Sequence, residues 1–525
     1  MVIMDVQRAI PSIPEFYRNQ SIFITGANGF MGKVLVEKLL RSCPDLEKIY
    51  ILLREKRGRD IQTRFNAMVN IPLFDRVKKE KPGICEEKLV IINGNVKELN
   101  LGLSDEDKQL LEEKVSIIFH AAASVRFDDP LKDAVLLNTR GTRELMKMAL
   151  NMKKLKVLLH VSTTYCNTDK KDVHEIVYPP HADWKKTIEI AENYNDEVLQ
   201  MLTLSYINPL PNTYTFAKSL AEHVVNDMSK GVIPAVIFRP SIVISSAHEP
   251  VKGWIDNFNG PIGLLAACAK GILRTTCSDR NIISDFIPVD IAIKAMVAAA
   301  WKKGTESEDK QKEITVINSS NIHNSTIKAM TLDDVTQTGK NLAHETPLNN
   351  MLWVPDGTIT KCRVYNFIRV ITLHIIPAIF IDMLLRLAGH NFSLLKIQRK
   401  IYVANMALHY FITNQWHFRN NNFMDLQSKI LDCDLKDWDY DFTTENLQKY
   451  MFYCLIGVKQ FLLKEDLSTL PTARIHFRRM MWLDRFVRVA FTGFIIYLYF
   501  HFGVSELLIN VLRTFGNYFT NITDI

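Results

Sequence analysis

The stretch Ser21-Ile22-Phe23-Ile24-Thr25-Gly26-Ala27-Asn28-Gly29-Phe30-Met31-Gly32-Lys33 constrains this chain more than any other. Apolar, β-favouring residues run into a turn holding three glycines. Beyond it Val34, Leu35, Leu39 and Leu40 recur at helical spacing, with Glu37, Lys38 and Arg41 on the other side. The pattern predicts strand, tight turn and helix. Gly26 lets the chain turn, Gly29 lets a pyrophosphate approach the backbone, and Gly32 lets helix and strand pack closely. The helix N-terminus then faces the phosphates. Asn28 and Phe30 fill the rest of the turn, so Gly26, Asn28, Gly29, Phe30 and Gly32 form a candidate dinucleotide cradle.

Further strands follow at α/β intervals: 48–53, 88–92, 115–119, 156–161, 235–243 and 313–318, with helical stretches between them. Alternation of this kind predicts a doubly wound parallel sheet, a Rossmann-type α/β fold, to about residue 320. The second strand ends in Arg54, followed by Lys56 and Arg57. An acidic residue there would bind a ribose hydroxyl, whereas basic residues suit a 2′-phosphate. The sequence therefore favours NADPH over NADH, with Arg54 as the residue that reads the phosphate. Asn95 and Val96 close the third strand. Ala121 and Ala122 follow the fourth, small enough for a flat cofactor to lie against the backbone.

Two hydroxyl and amine groups complete a pattern. Ser162-Thr163-Thr164 ends the fifth strand, and Tyr214-Thr215-Phe216-Ala217-Lys218 puts a tyrosine and a lysine four apart on one helix face. With the glycine turn upstream, this resembles the extended branch of the short-chain dehydrogenase/reductase superfamily. The resemblance narrows at Thr25–Lys33, Glu37–Arg41, Val161–Asn167, Gly253–Gly260 and Asp285–Asp290. These blocks, and a helical region at 355–465, are similar to the alcohol-forming fatty acyl-CoA reductases across residues 15–465.

The resemblance implies a division into a reductase domain at 1–354, an all-α domain at 355–470 and a basic linker with a hydrophobic tail at 471–525. It implies that Tyr214, its pKa lowered by Lys218, donates a proton while Thr163, with Ser162 second, holds the substrate carbonyl. Lys218 also holds the nicotinamide ribose. The implied reaction takes long-chain acyl-CoA to primary alcohol in two hydride transfers through an aldehyde. The adenine contact is carried in relatives by an acidic residue where this chain has Asn95. The basic stretch 55–87 is either a surface for coenzyme A phosphates or a solvated helix. A sterol dehydrogenase of the same branch, and a non-catalytic membrane protein that keeps the dinucleotide fold, are the alternatives.

Net charge is +7, from 64 basic and 57 acidic residues, dispersed rather than clustered, which argues against nucleic acid as a partner. Eight cysteines show no metal-ligand spacing and fit a reducing compartment. No metal is expected, and a homodimer stays open. Val370–Ile381 is a twelve-residue apolar run bounded by Arg369 and Asp382, too short to span a bilayer, for which burial or shallow membrane contact is expected. Val489–Ser505 holds seventeen uncharged residues and is the expected span. The arginines at 474, 478, 479, 485 and 488 on its upstream side keep the catalytic part in the cytosol by the positive-inside rule. Membrane lipid is thus an expected partner, with the endoplasmic reticulum ahead of the peroxisome as the location.

Overall fold

Seven short apolar runs become parallel strands: β1 Ser21–Thr25, β2 Lys48–Leu53, β3 Leu89–Asn93, β4 Ile117–His120, β5 Val157–Val161, β6 Ala235–Pro240 and β7 Thr315–Ser319. The computed structural model describes residues 10–55, 58, 60–321, 330–442 and 446–501. Strand order is β7-β6-β5-β4-β1-β2-β3, every pairing parallel. Strands buried on both faces read as continuous hydrophobic runs, and β1, β4, β5 and β6 are buried at every residue. The order reverses between β1 and β4, so the loops leaving their carboxyl ends diverge and open the crevice where this fold binds ligands.

The helix Phe30–Ser42 departs from the simple amphipathic reading. Glu37, Lys38 and Arg41 are buried as well. Glu37 and Arg41 pair at 2.7 Å, while Lys38 and Arg41 both reach Glu249, at 2.6 and 3.0 Å. Lys38 also donates to the Asp437 carbonyl from over the Trp438 ring. The polar face is covered because the C-terminal residues lie on it, and each charge there has a partner.

The sixth strand is shorter than its apolar run. It stops at Pro240, and Ile242–Ile244 forms a separate two-stranded sheet with Phe286–Pro288. The break falls at Ser241, whose hydroxyl donates to Asp285. Asp290 accepts the backbone N–H groups of Ala247, His248 and Glu249 from the first turn of the helix Val289–Gly304.

The C-terminal region is mainly helical and is stitched onto the reductase part. Thr358–Thr360 pairs with Thr275–Cys277, and His417–Phe418 with Asp172–Val173. Residues 363–387 are helical throughout, with a π turn at Ile371–Ile375, and this is long and apolar enough to cross a membrane. The twelve-residue apolar run is thus extended in both directions, and its burial is corrected: most of the helix surface is exposed. Arg369 and Asp382, which bounded the run, turn inwards. Arg369 donates to the Arg274 carbonyl, and Asp382 accepts the backbone N–H groups of Leu394 and Leu395. The last described helix, Leu470–His501, packs through Ala473, Phe477 and Asp484 and then projects Phe486 to Phe500 outward. Lys56, Arg57 and residues 502–505 of the expected tail span lie outside the described residues.

Candidate active site

The glycine turn has the shape its spacing predicts. Gly26 sits at φ +79°, and a Cβ there would lie 2.7 Å from the Ala121–Ala122 peptide. Only glycine meets both conditions, so β1 and β4 release their chains side by side. A Cβ on Gly32 would sit 2.1 Å from the Gly26 carbonyl oxygen, which keeps the helix hard against the turn. Beside Gly29 only the Gly26 oxygen comes within 4 Å, leaving backbone open for a pyrophosphate. Phe30 stacks on Trp254 with centroids 5.4 Å apart, and Lys33 pairs with Asp256 at 2.8 Å. The Gly253–Gly260 block therefore braces the cradle from behind. A dinucleotide fits these residues: glycine at 26 and 32 lets backbone pack on backbone and keeps the turn tight, while the Gly29 backbone stays open to a phosphate.

At the adenosine end, Arg54 is exposed just past β2, and the Arg64 guanidinium donates to the Arg54 carbonyl. Two cations share the corner beyond β2. Arg64 carried no sequence signal, because it lies one turn into a separate helix, Ile61–Val69. Asn95 accepts from the Lys97 N–H and donates its own N–H to the Leu101 carbonyl. Val96 packs against Gly141, where a Cβ would lie 2.3 Å from the valine methyl.

The reacting groups converge at the exits of β4 and β5. Lys218 is buried and donates to the Val161 carbonyl at 2.6 Å. Burial pulls its pKa down to about 8, opposed by Glu222 one helical turn further on. Glu222 in turn is locked to Arg239 at 2.6 Å, and Arg239 donates to the carbonyls of His174 and Ile176. Thr163 caps the turn Thr164–Asn167, its hydroxyl accepting from the Tyr165 N–H. Burial pushes the Tyr214 phenol up, the neighbouring Cys166 adds to this, and Thr163 pulls it partly back. This corrects the expectation that Lys218 lowers the phenol: the ammonium is turned to Val161, and desolvation dominates. Ser162 is buried beside Thr163.

Two histidines lie beneath. His120 bridges the Thr25 and Thr142 hydroxyls at 2.7 and 3.0 Å, and its ring lies 5.2 Å from that of His160. Burial holds both imidazoles neutral, with Lys218 reinforcing the effect. Asn138 sits in a π turn, Val135–Arg140, and grips Ser124 through both amide atoms. Thr139 ties this helix to the Tyr214–Lys218 helix by donating to Ala217.

A Rossmann sheet with a glycine cradle at its switch point, and a Thr, Tyr and Lys set at the next strand exit, defines an extended short-chain reductase that uses a nicotinamide dinucleotide. Two family models described as male sterility protein match residues 24–296, the NAD-binding part, and residues 373–465. The chain is 38% identical over 470 residues to fatty acyl-CoA reductase 1 of Xenopus laevis, covering 89% of this chain and 90% of that protein. It is 36% identical over 495 residues to fatty acyl-CoA reductase 1 of Homo sapiens, covering 94% of each. Among solved structures, the reductase domain of a nonribosomal peptide synthetase from Mycobacterium tuberculosis superposes with a TM-score of 0.56 at 17% identity. That match covers 86% of this chain and 94% of the domain, and shows the fold. The chain belongs to the fatty acyl-CoA reductase family and is an oxidoreductase.

Proposed function

We propose that this chain reduces long-chain fatty acyl-CoA to the primary alcohol, using NADPH twice and passing through the aldehyde. The observation that carries the reading is the Thr163, Tyr214 and Lys218 set, with Thr163 and Lys218 buried and the half-buried Tyr214 ring 5.8 Å from that of Phe127. NADPH held by the glycine cradle, Arg54 and Lys218 would supply hydride to the carbonyl carbon. Tyr214 donates its proton to the carbonyl oxygen, general acid catalysis by a phenol that burial keeps protonated. Thr163 shares the charge developing on that oxygen. Lys218, lowered by burial and supported by Glu222, would hold the nicotinamide ribose, and the phenolate left on Tyr214 takes its proton back from solvent before the next reduction.

From the thioester, the first reduction gives a hemithioacetal, which collapses to aldehyde and free coenzyme A thiol. The second reduction of that aldehyde at the same groups gives the alcohol. The reductase part is taken as residues 1–354 and the helical part as 355–470. Helix 363–387 is bonded to the body along its length, through Asn366 to Thr275, His374 to Arg274 and Asp382 to Leu394. Its other face carries Phe367, Ile371, Phe380 and Leu387, all exposed. That arrangement favours a helix lying in the membrane surface, with the tail from residue 489 as the anchor.

The test is product analysis of membranes expressing the chain, supplied with palmitoyl-CoA and either NADPH or NADH. Hexadecanol with two NADPH consumed per alcohol is the expected result. Aldehyde as the end product, or no acyl product with turnover of a sterol, would overturn the reading.

A further inference from the structure

We propose that the acyl chain runs from Tyr214 through two linked apolar cavities and emerges between helix 363–387 and the helix Leu394–Ile412, onto the exposed apolar face. The inference rests on the acyl-CoA reading above and adds the path and the exit. The Phe127 ring lies 5.8 Å from Tyr214 and 5.0 Å from Phe411, on the Leu394–Ile412 helix. Tyr165 packs edge-on against the same Phe411 ring. An apolar wall therefore leads directly from the catalytic phenol to the C-terminal helices.

Phe411 and Ile242 open an inner cavity of about 120 Å³, walled further by Leu264, Leu265, Leu273 and Leu408. Leu273 and Thr275 also line a second cavity of about 790 Å³, bounded by Phe367, Val370, Tyr402 and Met406. The outer volume lies within the range of ligand pockets, and the inner one is a narrow extension of apolar lining beside it. One helix floors both: Leu408 and Phe411 face the inner cavity, and Tyr402 and Met406 the outer. At the mouth Phe367, Tyr402 and Met406 are 63%, 52% and 53% exposed. Lys396 and Arg399 stand on the same rim. A hydrocarbon chain threaded methyl-first from the active site emerges here without crossing water, and an alcohol leaving this way passes its polar end last.

The path predicts a chain-length effect that catalytic residues would not produce. Leu265→Trp fills the inner cavity, and Met406→Trp narrows the mouth from an exposed position. In a hydrophobic site each lost methylene contact changes kcat/KM by about tenfold or more. Both variants should therefore lose about tenfold or more on stearoyl-CoA while octanoyl-CoA turnover holds. Equal loss at both lengths, or an unchanged profile in both variants, would overturn the path. If Leu265→Trp fails to fold, Met406→Trp alone decides.

A palmitoyl-CoA analogue with a diazirine at its methyl end gives a second reading on the unaltered full-length chain. Photolabelling should fall on residues 367–375 or 395–409, and labelling confined to other segments would overturn the path. Absence of alcohol from every acyl-CoA would refute the proposed function separately, because photolabelling reports the path without turnover.

Discussion

Gly253 and Gly457 meet backbone to backbone: a Cβ on Gly457 would sit 1.7 Å from the Gly253 carbonyl oxygen, and one on Gly253 would sit 2.1 Å from the Tyr453 oxygen. The block that braces the dinucleotide cradle through Trp254 is thereby clamped to the helix Leu447–Gly457. Tyr450 on that helix adds a 2.6 Å bond to the Ser245 carbonyl. Cradle and helical region are one packed unit here, so damage to either reaches the other.

Gly457→Ala should therefore destabilise the whole protein and weaken cofactor binding together. Overpacking of this kind costs about 1–3 kcal/mol, and backbone oxygen yields less readily than a side chain. Thermal unfolding with and without NADPH measures both effects. A melting temperature unchanged within about 1 °C would show that the helices can part at this point.

Tyr214→Phe should abolish alcohol formation while NADPH binding, followed by fluorescence, stays near that of the parent. Loss of general acid catalysis costs about 10²–10⁴-fold. Activity within about threefold of the parent would remove Tyr214 from the proton-donating role.

How far these assignments were legible depends on the distance between the residues involved. The cradle needs only positions 26–32, and the Tyr214–Lys218 pair only one helical turn, so both stood in the sequence. Glu222 lies only one turn beyond Lys218, yet its buried partner Arg239 sits on a separate strand, and no local spacing announces that pair. Phe127 and Phe411 are far apart in the chain, and no periodicity joins them. The limits of the apolar run at Val370–Ile381 were misleading for a physical reason. Charges end a membrane stretch only when they face out, and Arg369 and Asp382 bond inward. The phenol's pKa was misjudged because burial outweighs a nearby ammonium when that ammonium is spent on a carbonyl.

Lys218 should give activity and stability opposite pH trends. Its folded pKa of about 8 lies below the ~10.4 of an unfolded lysine, so the charged form is disfavoured by folding. Between those values the unfolded chain binds more protons, and this group's contribution to stability rises with pH. Activity needs the ammonium and should fall through about pH 8. Comparing kcat and urea midpoints from pH 7 to 9.5 in the parent and in Lys218→Met isolates the group. A kcat limb in the parent that stays flat to pH 9.5 would show that the charge is not required.

Arg54→Asp should weaken NADPH about 10- to 150-fold, the range for a lost charge-assisted contact to phosphate, and leave NADH much less affected. Arg64→Ala should shift the same preference in the same direction, since its guanidinium meets the Arg54 carbonyl. Equal loss for both cofactors, measured by titration, would make the pair structural.

Two membrane elements with different physics should separate by extraction. The helix Leu470–His501 is tied to the body as far as Arg488: Trp353 donates to Asp484 at 2.5 Å, and Arg488 pairs with Asp356 at 2.8 Å. Removing it from residue 470 would tear out packed residues, Phe477 among them, so the informative cut falls after Arg488. The full chain should resist carbonate, as a spanning segment does. The truncated chain should be released by carbonate yet still sediment with vesicles at neutral pH, held by the exposed face of helix 363–387. Adding Phe380→Glu and Leu387→Glu, at positions 57% and 80% exposed, should abolish that remaining attachment without touching the core. Resistance of the truncated chain to carbonate would instead make helix 363–387 a true span, and the inward bonds of His374 and Asp382 would then have to break on insertion.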